Sequence, residues 1–176
     1  ADLAREFGTP LYVMDEELIR QNCRAYVKGF RLHYPDFDVA YASKAFLCTA
    51  MAALVAQEGL SLDVVSGGEI ATALQAGFPM GRTYFHGNNK TPEEIRLALD
   101  AGVGRFVVDS LHELELLSRL AGDRGETVRI LLRVTPGVEA HTHEYISTGQ
   151  LDSKFGIPIE GGLALAAARE ALRTPG

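Results

Sequence analysis

The sequence predicts an α/β protein, an incomplete (β/α)8 barrel holding about five to six strand–helix units. Three observations predict it. Short strand-like segments alternate regularly with helical ones, which implies parallel pairing. The glycine patterns of a dinucleotide-binding sheet and of a P-loop are both missing, which removes the main support for a doubly wound sheet. Polar residues also recur at the C-terminal ends of successive strands, where a barrel collects its functional groups.

Thr9-Pro10 followed by Leu11-Tyr12-Val13-Met14 predicts a first strand. Asp15 is the expected N-cap of a helix starting at Glu16, with Ile19, Cys23, Tyr26, Val27 and Phe30 on one face. Pro35 ends that pattern. The next strand runs from Asp38 to its end at Lys44, and Asp38, Ala40, Ala42 and Lys44 share a face. A helix with Leu47, Met51, Leu54 and Val55 on one side follows. Residues 60–65 form a strand, then a helix carries Ile70, Ala73 and Leu74. Residues 83–86 form a strand, and Thr91-Pro92-Glu93-Glu94 opens a helix with a capping box and proline at its first position. Residues 105–109 form a strand, and Ser110 with Glu113 predicts a second capping box ahead of Leu114, Leu117 and Leu120. Residues 128–134 form a strand closed by Pro136-Gly137, a sixth strand is read near 154–157, and a last helix covers about 162–172.

Lys44, Asp63, His86, Asp109 and Arg133 lie at or near five strand ends, with spacings of 19, 23, 23 and 24 residues. Lysine is depleted in strands, and one in a confined site can lose its proton and attack carbonyls. Beside Ala40 and Ala42, Lys44 has room for a ligand; the alternative is a solvated strand-end lysine. Asp109 has a second reading, a carboxylate aimed at a helix start. Ser66-Gly67-Gly68-Glu69 could offer amides to an anion, or could simply make a tight strand-to-helix turn. His141-x-His143-Glu144 has two histidines at strand spacing without an evident third ligand, so no metal site is expected. Cys23 and Cys48 are isolated and expected as reduced thiols, although one disulfide stays open.

The net charge of −6, without a basic run, argues against nucleic-acid and polybasic membrane binding. The apolar stretches fall short of a membrane span, and no signal-peptide pattern opens the chain, so a cytoplasmic protein is expected. A closed barrel takes eight strands and about 250 residues. The 176 residues are therefore expected to be the N-terminal part of a longer protein.

Phe7-Gly8-Thr9-Pro10-Leu11-Tyr12-Val13 resembles the opening of the diaminopimelate decarboxylases. Tyr41-Ala42-Ser43-Lys44-Ala45 resembles the cofactor-lysine segment of the fold-type III pyridoxal-phosphate enzymes, which include alanine racemase and the ornithine and arginine decarboxylases. Leu62 to Glu69, His86-Gly87-Asn88-Asn89-Lys90 and His141 to Gly149 follow in order and narrow the resemblance, the last two resembling diaminopimelate decarboxylase signatures, whereas Ser153-Lys154-Phe155-Gly156 resembles a segment shared more widely among the decarboxylases. Phe46 departs from the family pattern, where many members have asparagine.

The resemblance implies a (β/α)8 TIM barrel of the fold-type III enzymes, incomplete here and without the C-terminal β-domain. Residues 1–36 would be a strand and helix leading in, and 37–176 a partial pyridoxal 5′-phosphate barrel. Lys44 would be catalytic and hold the cofactor as a Schiff base. Asp63 would set the charge state of that lysine, His86 would line the pocket, and Arg133 would lie beneath the ring. Ser153 to Gly156 would lie near the interface of a homodimer. The implied reaction is decarboxylation of meso-2,6-diaminopimelate to L-lysine and carbon dioxide, with a small amino acid as the only partner besides the second subunit. The implied phosphate-binding glycines, the acidic partner of the ring nitrogen and the substrate-binding arginines come later in the family, so this chain alone is expected to be inactive. An amino-acid racemase, another basic amino-acid decarboxylase of this fold, or a non-catalytic cofactor-binding relative are the alternatives.

Overall fold

The computed structural model describes residues 1–138 and 155–174. The chain forms two compact units, Ala1–Val39 and Ala40–Gly176. The first holds α1 (Asp2–Phe7) and α2 (Glu16–Arg31). Asp15 caps α2 as expected, its carboxylate accepting the Leu18 N–H at 3.0 Å. Glu16 and Arg20 add an ion pair one turn apart at 2.8 Å. Cys23 is buried, but Tyr26 and Phe30 of the expected apolar face are 64% and 52% exposed. The strand expected at residues 11–14 does not form. Tyr12 and Val13 are exposed, and no described strand pairs with them. A β-branched and aromatic run favours a strand only where a pleated surface receives it.

The second unit alternates β1 (Ala40–Ala42), α3 (Thr49–Gln57), β2 (Ser61–Val64), α4 (Gly67–Gln75), β3 (Thr83–Phe85), α5 (Pro92–Ala101), β4 (Arg105–Val108) and α6 (Leu111–Gly122). It continues with β5 (Ile130–Leu132), β6 (Val134–Thr135), β7 (Ile157–Pro158) and α7 (Leu163–Arg173). Strands β1 to β5 pair in sequential order and all in parallel. β6 pairs in parallel with β7. The expected strand over 128–134 is thus split at Arg133, which serves both sheets. Its N–H donates to the Val108 carbonyl at 2.9 Å, and its carbonyl accepts from Ile157 N–H at 2.8 Å. The sixth strand sits at Ile157–Pro158, slightly beyond its expected place, with Lys154 outside the described residues.

Register sets the two faces of the sheet. Ala42, Asp63, Tyr84 and Arg105 are successive partners on one side. Leu62, Val64, Phe85 and Val108 alternate to the other side and are fully buried. There α3 packs on β2, α6 packs on β4, and the helices contact one another in chain order. Phe85 and Phe106 meet at 6.1 Å between ring centroids in that core. The opposite face is open, with Leu131 46% exposed. One close approach fixes a glycine: a Cβ on Gly104 would lie 2.0 Å from the Gly81 carbonyl oxygen.

The caps follow the sequence with one difference. Thr91 and Glu94 form the complete expected box. Ser110 accepts the Glu113 N–H at 3.2 Å, but the Glu113 carboxylate does not return to Ser110. It instead accepts the Asp109 N–H at 3.0 Å and pairs with Lys90 at 2.7 Å. The Lys90 ammonium also donates to the carbonyls of Gly87 and Val107, each at 2.8 Å, and lies 5.3 Å from the Phe85 ring centre. Three acceptors match its three donors, so the buried pair is satisfied as charged groups. Burial pushes Lys90 below and Glu113 above the ordinary range, and their mutual attraction opposes both shifts.

Two stability outcomes are expected. Lys90→Met leaves the Glu113 carboxylate buried without its cation and should cost about 3–5 kcal/mol in urea unfolding. Gly104→Ala should destabilise by about 2 kcal/mol or more by the same measurement, because the new methyl meets backbone.

Candidate functional site

Lys44 lies on a single 3-10 turn, Ser43–Ala45, that follows β1 directly. The strand is therefore shorter than expected, and Lys44 begins the turn's solvent side instead of ending the ladder. Tyr41 steadies this turn by donating its hydroxyl to the Phe46 carbonyl at 2.8 Å. The Lys44 side chain is exposed, not confined, because the neighbouring Ala40 and Ala42 are small and the sheet face beside it is open.

Asp63 lies on β2 beside Ala42, facing the open side. Its pKa is pushed up to about 6, first by burial; Lys44 opposes the shift, Glu69 adds to it, and Arg133 opposes it. One carboxylate oxygen, Oδ1, is buried without a hydrogen-bond partner among the described residues. His86 is the first residue past β3, held by its N–H to the Val64 carbonyl at 2.8 Å. Its Nε2 is 3.8 Å from Asp63 Oδ1, beyond hydrogen-bond reach. Burial, Arg133 and Lys90 lower the His86 pKa, with a smaller opposing effect from Asp109.

Arg133 donates from Nη1 to Asp109 at 3.0 Å, and its guanidinium lies 4.2 Å from the Phe155 ring centre. Asp109 is only 5% exposed. Ser110 caps α6 as expected, and the Asp109 carboxylate turns to Arg133 instead of the helix start. The other Asp109 oxygen accepts the Gly156 N–H at 2.9 Å. The fold thus gathers all five strand-end polar residues: Lys44 and Arg133 act on both Asp63 and His86, and Asp109 binds Arg133.

Sequence reasoning missed the tertiary contacts of Lys90, Glu113 and Glu94. Glu94 completes its cap and also accepts the Gly67 N–H at 2.9 Å. Glu69 takes the Val65 N–H and Ser66 Oγ takes the Glu69 N–H, so with Gly67 three of the amides around Ser66-Gly67-Gly68-Glu69 are already engaged, and the turn reading of that segment fits better than the anion reading. A Cβ at Gly67 would lie 3.3 Å from Glu94 Cγ, a tight contact with the side chain that also takes the Gly67 N–H. The capping-box pattern flagged Glu94 and Glu113, but nothing local flagged their second partners. His141, His143 and Glu144 lie outside the described residues. Among the described residues no three His, Cys, Asp or Glu side chains form a metal cluster, and Cys23 and Cys48 are not joined in a disulfide.

The open face fits a carbonyl-bearing anionic cofactor. Lys44 offers an accessible amine. Asp63 offers a buried oxygen still lacking a donor, and Arg133 a fixed positive charge. Those residues, with His86, could hold pyridoxal 5′-phosphate.

No helix among the described residues is long and apolar enough to cross a membrane. The family model described as "Pyridoxal-dependent decarboxylase, pyridoxal binding domain" matches residues 17–176. The chain is 56% identical to the diaminopimelate decarboxylase of Staphylococcus aureus over 92% of its own length and 38% of the relative's. It is 51% identical to that of Bacillus subtilis over 98% of its length and 39% of the relative's. A crystal structure of the M. jannaschii diaminopimelate decarboxylase in complex with L-lysine superimposes with a TM-score of 0.89 and 42% identity, covering 98% of this chain and 41% of that one. The lysine/ornithine decarboxylase of Vibrio vulnificus, complexed with putrescine, superimposes with a TM-score of 0.76 at 28% identity, covering 99% of this chain and 41% of that one. The chain therefore spans about two fifths of the length of the relatives it matches. With that family model matching residues 17–176 and an α/β fold built on a parallel sheet, the chain belongs to the pyridoxal-binding domain of the pyridoxal-dependent decarboxylases.

Proposed function

We propose that this chain is the cofactor-binding portion of a diaminopimelate decarboxylase, which converts meso-2,6-diaminopimelate to L-lysine and carbon dioxide. The observation that carries the reading is identity of about one half to several such enzymes over nearly the whole chain. In it, residues 1–36 lead into the barrel and 37–176 hold the cofactor. The reading brings with it a cytoplasmic homodimer acting on a small amino acid.

Each site residue then has a task. Lys44 would hold the cofactor at its aldehyde carbon through the ε-amine. Arginine could not replace it, because a guanidinium stays protonated. Asp63, whose pKa is pushed up to about 6, can hold or release a proton on the same side of the sheet as Lys44. His86 lines the pocket as a neutral imidazole at pH 7, because burial and neighbouring cations disfavour its charged form. Arg133 keeps a positive charge on the same side. When bound, pyridoxal 5′-phosphate supplies the sink for the electron pair left as the α-carboxylate departs as carbon dioxide.

Product analysis of the full-length enzyme with meso-diaminopimelate tests the reading. Lysine and carbon dioxide are expected; epimerised substrate would point to a racemase, and no product to a non-catalytic relative. Borohydride reduction with the cofactor should label Lys44, and Lys44→Ala should remove the label and lower turnover by at least about a thousandfold. Substantial decarboxylation by Lys44→Ala without added amine would contradict the role.

Asp63 also predicts a pH effect on the cofactor-free protein. Its folded pKa lies above the unfolded value, so its contribution to stability is present below pH ~4 and is lost as pH rises through about 6. His86, shifted down, has the opposite slope, losing stability as pH falls below ~6.5. Replacing Asp63 with asparagine should remove the first trend, so that melting temperature rises with pH across this window more steeply than in the unaltered protein. An unchanged profile would rule out the perturbed carboxyl.

A further inference from the structure

The charged groups beside the proposed cofactor site form one connected chain across three loops. Lys90, on the loop after β3, pairs with Glu113 at 2.7 Å and holds the Gly87 carbonyl at 2.8 Å. The second Glu113 oxygen holds the Asp109 N–H at 3.0 Å, at the end of β4. The two Asp109 carboxylate oxygens then divide. One binds Arg133 Nη1 at 3.0 Å, and the other binds the Gly156 N–H at 2.9 Å, just ahead of β7. Arg133 is held on a second side by the Phe155 ring.

We propose that Asp109 is a positioning residue of the cofactor site: its carboxylate orients the Arg133 guanidinium and anchors the start of β7, and Lys90 and Glu113 fix it in place. The inference rests on the cofactor-binding reading. Geometry carries it. A carboxylate with both oxygens engaged by donors from two separate segments, Arg133 between β5 and β6 and Gly156 ahead of β7, has one orientation, and a bond to an arginine transmits that orientation. Asp109 is 5% exposed, whereas the Arg133 side chain keeps 29% of its surface accessible. The buried partner is therefore the fixed one, and the accessible partner is free to meet a ligand. The Asp109 backbone is set by a glutamate whose own charge is neutralised by a buried lysine, so the chain ends on a group that cannot shift cheaply.

The test uses the full-length enzyme and measures pyridoxal phosphate affinity and the absorption spectrum of the bound cofactor. The variants are Asp109→Asn, Arg133→Met and the two together. Asparagine keeps the size but can accept at only one atom, so one donor loses its partner. Asp109→Asn should weaken cofactor binding about tenfold in the unaltered enzyme and by less than about twofold when Arg133 is already methionine. The bound cofactor's spectrum should shift in the same sense in both single variants, which a purely structural role would not produce. Equal losses in both backgrounds, or no loss, overturn the inference. If Asp109→Asn does not fold, Arg133→Lys examines the contact from its other partner, because lysine keeps the charge and loses the planar fork. A comparable loss supports the inference, and unchanged affinity overturns it. An unaltered enzyme without a cofactor band would instead overturn the cofactor reading, and this inference with it.

Discussion

Parallel pairing is the constraint on which the rest of this structure depends. Every strand from β1 to β5 runs in one direction, so every strand-to-helix turn emerges at the same end. Lys44, Asp63, His86, Asp109 and Arg133 meet there because each stands at or just past the close of a ladder. His86 and Arg133 each make one more ladder bond beyond their strand, to Val64 and Val108. That bond fixes the backbone from which the functional side chain leaves. The same alternation that buries Leu62 and Val64 under the helices turns Asp63 to the open side.

Charge is distributed unevenly around this ladder. Surface pairs such as Asp2 with Arg5 are exposed and contribute little. The Lys90–Glu113 pair is different: its side chains are 1% and 8% exposed, and every donor of the ammonium is used. Burying such a pair gains little net energy over an apolar substitute, but it specifies one arrangement of the loops that it joins. The loops so joined are those that carry His86, Asp109 and, through Asp109, Arg133. Rigidity at the site and the cost of breaking the pair are the same physical fact.

Much of the site was legible in the sequence because it is periodic. Asp63, His86 and Arg133 were found by counting from one strand end to the next, and the fold brings them together. Lys44 is legible from its segment and from the open space beside Ala40 and Ala42; the structure differs in ending the strand at Ala42 and setting Lys44, exposed, on the 3-10 turn that follows. The strand expected at residues 11–14 failed for a related reason. Propensity describes a surface that a strand would suit, and cannot supply the partner. Glu113 shows the limit most clearly. Its spacing from Ser110 predicted a reciprocal cap, the serine half formed, and the carboxylate went to Lys90 and to the Asp109 amide.

The sequence by itself determined the alternation of strands and helices, the capping serines and threonine, and the placing of polar residues at strand ends. These are local, set by backbone preference and by side-chain period within a few residues. Only the tertiary structure decided who meets whom across 23, 24 or 47 residues: Lys90 with Glu113, Arg133 with Asp109, and Gly156 with Asp109. It alone also decided that Gly104 must lack a side chain, because the backbone of Gly81 lies against it. No local pattern encodes these contacts, since they arise from packing helices over a parallel sheet and from the need of each buried charge for a partner.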